Sequence, residues 1–267
     1  MKFTLDGEIE SFREEVRAFV EQEYDPLIPT QGPFPQADTA EKAAFIRKLA
    51  AKNWLGLDWP VAFGGRGLDE IYQIVLQEEL EYVLHPSLSV EVGMIGQTIV
   101  RHGSDELKRE ILPRIIAGEL SIALGYSEPE AGSDLANLQL RAVRQGDHFV
   151  LNGQKMFTSA AHFSDMIWLA VRTNPEAAKH KGISLLLVDT NGPGIEVRRI
   201  DTMADHQTNM VYFTDAPVPA GRLVGEIDRG WNYIVEALDY ERLKGLPFGG
   251  LQRDLDELVA WAREDGN

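Results

Sequence analysis

The hydrophobic period changes twice along this chain, and that alternation constrains the fold more than any single motif. From about residue 8 to 120 apolar side chains recur every three or four positions, the spacing of amphipathic helices. Ile9, Phe12, Val16, Phe19 and Val20 share one helical face, with Glu8 and Glu10 in the first turn, where carboxylates meet the positive end of the helix dipole. Further helical stretches are expected over 40–52, 68–84, 88–102 and 105–117, interrupted by Asp58-Trp59-Pro60, Gly64-Gly65-Arg66-Gly67 and His85-Pro86. After Ser121 the pattern shortens to β-rich runs at 138–144, 148–151, 154–158, 166–171, 183–188, 195–198 and 209–213. Asn152-Gly153 reads as a hairpin turn, because both residues tolerate positive φ, and Pro217-Val218-Pro219 reads as punctuation. From Gly230 the helical period returns through Ile234, Val235 and Leu238, then Leu251, Leu255, Leu258, Val259 and Trp261.

Helices, then strands, then helices imply an α+β chain with segregated layers. Three parts are expected: an all-helical domain over 1–120, an antiparallel, barrel-like β domain over 121–228, and the start of a second helical domain over 229–267. A chain of 267 residues is long enough for a substantial core.

Charge narrows the functional classes. Twenty-six Lys and Arg against 42 Asp and Glu give a net charge of −16, which repels nucleic acid and anionic lipid. No cysteine is present, which excludes disulfides, thiolate metal sites and cysteine nucleophiles. No pair of histidines has metal-ligand spacing, so no metal is assigned. The glycine cluster at 64–67 lacks the Lys-Ser/Thr of a P-loop, and no Gly-x-Ser-x-Gly elbow marks a hydrolase. The N-terminus turns acidic before an apolar run develops, unlike a secretory signal, and no stretch reaches the roughly 18 apolar residues of a membrane span. The expected location is the cytoplasm.

The informative stretch is Gly125-Tyr126-Ser127-Glu128-Pro129-Glu130-Ala131-Gly132-Ser133-Asp134. By residue type it is a polar turn between helical and β segments, either a plain surface turn or a cradle of backbone N–H and hydroxyl donors. It resembles the signature of the acyl-CoA dehydrogenase family. The resemblance continues in order along nearly the whole chain, through Asn53-Trp54-Leu55-Gly56-Leu57, His102-Gly103-Ser104-Asp105, Asn152-Gly153-Gln154-Lys155, Arg222-Leu223-Val224-Gly225 and Leu238-Asp239-Tyr240-Glu241-Arg242-Leu243.

That resemblance implies an FAD-dependent oxidoreductase of lipid metabolism that removes hydrogens from Cα and Cβ of an acyl-CoA thioester and passes electrons to an electron-transfer acceptor. It implies flavin contacts at Leu124, Tyr126, Ser127, Gly132, Ser133, Phe157, Thr158 and Ser159. Phe157 stands where the family usually has Trp, and Ser159 where it has Thr. Ser133 also matches a CoA contact, and Asp239, Tyr240 and Arg242 fall in a substrate-binding stretch. The base of most members lies late in a C-terminal bundle that this chain does not contain. In the isovaleryl and long-chain branches it falls in a Leu-Asp-x-Glu-Arg-Leu-like sequence, which assigns the role to Glu241. The competing reading of Glu241 is a helix-surface acid paired with Arg242 or Lys244.

The resemblance further implies a chain lacking most of the C-terminal bundle, a poor enzyme alone, and a homo- or hetero-oligomer in full-length form. A half-site subunit of a heteromeric dehydrogenase is the alternative, because Lys155-Met156-Phe157-Thr158-Ser159 and Asp205-His206-Gln207-Thr208-Asn209 are similar to heteromeric steroid side-chain dehydrogenases. An acyl-CoA oxidase and a flavin monooxygenase share the fold.

Overall fold

The computed structural model describes residues 5–24, 40–83, 89–203, 207–244 and 248–264, with backbone alone at 40, 41, 89 and 241–244. The helical part comprises α1 (Gly7–Glu23), α2 (Ala40–Ala51), α3 (Glu70–Tyr82), a π-helical segment (Ser89–Gly96) that runs into α4 (Gln97–His102), and α5 (Asp105–Ile116). Phe12, Val16 and Val20 form the buried stripe of α1. Asp69 caps α3 by accepting from Ile71 N at 3.0 Å, and Ser104 caps α5 by accepting from Leu107 N at 3.1 Å, each satisfying a donor that the first helical turn leaves unpaired. The expected helix over 88–102 is therefore part π and part α, and 84–88 lie outside the described residues. Trp59 is fully buried and donates its indole N–H to Val92 O at 3.2 Å, tying the loop after α2 to the π segment.

Among the described residues the sheet has eight strands: β1 (Ile122–Gly125), β2 (Arg141–Gln145), β3 (His148–Lys155), β4 (Met166–Arg172), β5 (Ile183–Asp189), β6 (Ile195–Asp201), β7 (Gln207–Pro219) and β8 (Leu223–Val224). Their order is β6-β7-β3-β2-β4-β5-β8, with β1 parallel to the first half of β4. The α+β class stands as expected. The barrel-like closure does not, because the path ends on β6 and β8 without pairing them, and the β1–β4 ladder departs from a purely antiparallel sheet. All seven residues of β4 are buried. Met166, Trp168 and Ala170 join the helical core, while Ile167, Leu169 and Val171 join a second core on the opposite face. This alternation of faces fuses helices and sheet into one body.

Two turn expectations are corrected. Asn152-Gly153 is a bulge inside one continuous strand: the β3–β7 register shifts between Leu151 and Gly153. Gly153 takes φ 137°, and the Asn152 amide exchanges hydrogen bonds with Asp215 of β7 at 3.0 Å each way. The side chain bonds across to the neighbouring strand, so the chain bends without reversing. Pro217 lies within β7 and Pro219 is its last residue, so the strand runs on through this stretch and ends at its second proline, beyond the last β6 pair at Phe213, where the strand has a neighbour on one side.

Two helices close the described chain, α6 (Gly230–Lys244) and α7 (Phe248–Glu264). Ile234 and Ala237 are fully buried, Leu238 is half-buried, and Val235 is exposed. The inward stripe of α6 thus runs through Ala237 in place of Val235. α7 lies on α3 with Gly249 so close that an added Cβ would meet Glu78 O at 1.9 Å, while Leu251, Leu255, Leu258 and Trp261 are exposed. No described helix is long and apolar enough to cross a membrane.

Candidate functional site

The turn after β1 and the turn after β3 are thirty residues apart and are held together by one buried network. Lys155, the last residue of β3, is fully buried. Its ammonium donates to Tyr126 O at 3.0 Å and to Glu128 Oε1 at 2.7 Å. Burial pulls Lys155 down to about 8, against the opposing pull of the Glu128 carboxylate. Glu128 is also buried, and accepts from Gln139 N at 2.6 Å and Leu140 N at 2.9 Å, so each partner answers the desolvation of the other. Met156 N donates to Ser127 O at 2.8 Å, completing the seam.

Of the sequence-predicted residues, Tyr126 and Ser127 are thereby set beside Phe157, Thr158 and Ser159. Leu124 faces Trp168 in the β1–β4 ladder, and the Trp168 indole donates to Tyr126 Oη at 2.9 Å. Phe157 has φ 57° and is 59% exposed, an aromatic face offered outward from a conformation that side chains disfavour. Ser159 is exposed beside it, and Thr158 is buried with a hydroxyl that has no partner among the described residues. Gly132 and Ser133 are exposed past the Glu128–Ala131 bridge. Arg172 secures the chain beyond them, donating to Ala136 O at 2.7 Å, Leu138 O at 3.2 Å and Lys179 O at 2.9 Å.

Apart from Ser133, the residues assigned to substrate and catalysis lie on α6. Asp239 is exposed and Tyr240 is half-buried, with the Arg101 guanidinium 4.7 Å from its ring centre. The side chains of Glu241 and Arg242 lie outside the described residues; the α6 backbone continues through both. Glu236 anchors the helix to α4, accepting from Arg101 at 2.9 Å and pairing with His102 at 2.7 Å. Burial pushes the Glu236 pKa up, but His102 and Arg101 outweigh it and hold the carboxyl below its usual range.

Residues 6–119 match the acyl-CoA dehydrogenase N-terminal domain and residues 123–216 match the acyl-CoA dehydrogenase middle domain. Acyl-CoA dehydrogenase FadE29 of Mycobacterium tuberculosis is 45% identical over 84% of this chain. The chain belongs to the acyl-CoA dehydrogenase family. It spans 58% of the length of FadE29. Among solved structures it is similar to the Tcur3481-Tcur3483 steroid ACAD, with TM-score 0.91 and 36% identity, covering all of this chain and 70% of that one. It is also similar to the ChsE4-ChsE5 complex from Mycobacterium tuberculosis, with TM-score 0.80 and 36% identity, covering 90% and 61%.

Acyl-CoA dehydrogenases are FAD-dependent oxidoreductases, and the donor set here fits such a group. An exposed aromatic ring beside the exposed Ser159 hydroxyl gives a planar, hydrogen-bonding molecule a surface to lie on, and a Cβ built on Gly132 finds nothing within 4 Å. Sequence reasoning quoted Glu128 and Lys155 as motif letters without seeing their union. A lysine ending a strand that opens His148-Phe149-Val150-Leu151 is the signal that could have found it, since an unpaired ammonium there is costly.

Proposed function

We propose that this chain carries the cofactor and thioester-facing walls of an FAD-dependent acyl-CoA dehydrogenase, organised as a helical domain over 1–120, a β domain over 121–228 and a further helical part from 229. The observation that carries this reading is the seam joining Tyr126-Ser127 to Phe157-Ser159 through Lys155 and Glu128. In this reading Leu124, Tyr126, Ser127, Gly132, Ser133, Phe157, Thr158 and Ser159 hold the flavin, and Ser133 also meets CoA. When bound, FAD supplies the acceptor for the hydride that leaves Cβ.

The chain's own tasks are to orient the thioester, keep water away and take the α proton. Glu241 is the proposed base: its carboxylate accepts the proton from Cα as general base, while Asp239, Tyr240 and Arg242 border the substrate. Ser127 and Ser159 offer hydroxyls that orient the ring they face. The test is Glu241→Gln in the full-length protein. FAD and acyl-CoA binding should survive, and flavin reduction should slow by at least about 100-fold, the lower range for a lost general base. Reduction near the wild-type rate would reject Glu241 as the base, and a colourless full-length protein that cannot be reconstituted with FAD would reject the whole reading.

A second reading concerns assembly. The similar structures named as Tcur3481-Tcur3483 and as the ChsE4-ChsE5 complex each carry two component names, and one is called a steroid ACAD. They support a heteromeric enzyme in which this chain supplies one cofactor wall and the acyl group is attached to a steroid. Co-expression with a neighbouring dehydrogenase-like gene should yield a mixed oligomer; an active homotetramer from this gene alone would reject it.

A further inference from the structure

The seam explains how Tyr126 and Ser127 are held, but not what keeps Phe157 and Ser159 in place. Phe157 and Ala160 both occupy the left-handed region, at φ 57° and 67°, and Ser159 N turns back onto Phe157 O at 3.0 Å. Two left-handed residues other than glycine within four positions persist only where the surroundings enforce them.

The enforcing contacts come from one residue of β7. Asn209 is fully buried. Its backbone O accepts from Thr158 N at 3.0 Å, and its Nδ2 donates to Thr158 O at 2.8 Å, so both peptide groups of the residue between Phe157 and Ser159 end on the same side chain and backbone. The amide cannot flip without loss. Gln207 Nε2 donates to its Oδ1 at 3.2 Å, and the second Nδ2 proton points to His162 Nδ1 at 3.1 Å. Burial, with Arg199 nearby, lowers the His162 pKa against the opposing pull of the Asn209 hydrogen bond, which favours the neutral ring that can accept.

We infer that Asn209 is the positioning residue of the cofactor wall, its buried amide holding the Phe157 ring and the Ser159 hydroxyl outward in the orientation a flavin meets. The inference rests on the proposed cofactor role of that wall. Asn209 acts through its two hydrogen bonds to Thr158.

The test uses the full-length protein with Asn209→Ala, read in two ways. Without added flavin, amide hydrogen exchange across 156–161 should accelerate about fivefold to tenfold, the effect of losing one net hydrogen bond, while β4 amides keep their protection. On titration with FAD the same variant should bind about tenfold more weakly, and the visible flavin band should lose its protein-induced structure. Unchanged exchange in 156–161 would overturn the positioning role whatever the flavin does. A wild-type protein that fails to bind FAD, with exchange accelerated in the variant, would leave Asn209 positioning the turn and overturn the cofactor reading instead. If Asn209→Ala fails to fold, His162→Phe at the exposed end of the network carries the same test: it removes the acceptor that orients the amide, and should accelerate exchange about twofold to threefold. Wild-type exchange and FAD affinity in that variant would reject the inference.

Discussion

The two walls of the proposed site are built by opposite means. On the β side, a fully buried lysine, a buried glutamate and a buried asparagine lock two turns into one surface. On the α6 side, the helix is tied to α4 by Glu236 with Arg101 and His102, groups between 29% and 47% exposed. Buried polar networks are rigid and intolerant of losing a member, whereas exposed ion pairs are weak, salt-sensitive and adjustable. The proposed cofactor surface is therefore preformed, and the helix proposed to face the substrate is held on terms that solution conditions can change.

The largest expected effect breaks the rigid wall. Lys155→Met leaves Glu128 buried without its cation and should cost about 3–5 kcal/mol, read as a fall in the denaturation midpoint together with loss of FAD retention. Adding Glu128→Gln should recover part of that loss. A single variant within about 1 kcal/mol of wild type would show that the seam is not rigid.

Gly249→Ala comes next and attacks the helical side alone. The new Cβ would overlap Glu78 O, so α7 should shift off α3 at a cost of about 1–3 kcal/mol. Limited proteolysis should then cut within 248–264 while the sheet resists. Simultaneous loss of both would mean the two sides are one cooperative unit.

Glu236→Gln should cost about 1 kcal/mol at neutral pH, and its pH dependence sharpens the contrast. Because the folded carboxyl lies below its ordinary range, its stabilisation is complete above the unfolded value near 4.3 and disappears as pH falls through the folded value. Urea titrations of wild type and variant should therefore differ at pH 7 and converge in acid. A constant gap at every pH would show that the loss is packing, not charge. The smallest effect is that of salt: 1 M NaCl should narrow the same gap by a few tenths of a kcal/mol, and leave the cost of Lys155→Met unchanged.

Where the periodicity was local, the fold was legible. Phe12, Val16 and Val20 bury as their spacing predicts. Asn152-Gly153 misled because its turn chemistry was satisfied by Asp215 on another strand, a contact sixty-three positions away that no local window contains. Val235 misled for a related reason: helical period defines a stripe, but only the neighbours of α6 decide that Ala237, not Val235, lies at its centre. For the site, the Tyr126–Ser133 and Phe157–Ser159 segments were legible as motifs, while Asn209 was visible only as a letter in a resembling phrase.

The sequence by itself determined most of the helices, the strands β2 to β7 but not β1 or β8, the order of the layers, the acidic balance, and the family, because each is written in local spacing, composition or an ordered run of motifs. The tertiary structure alone decided that the sheet stays open, that Lys155 and Glu128 meet, and that one asparagine holds the turn carrying Phe157. Those outcomes depend on which distant groups can satisfy a buried charge or amide. A buried polar group must find a partner wherever the chain brings one, and that choice is made in space.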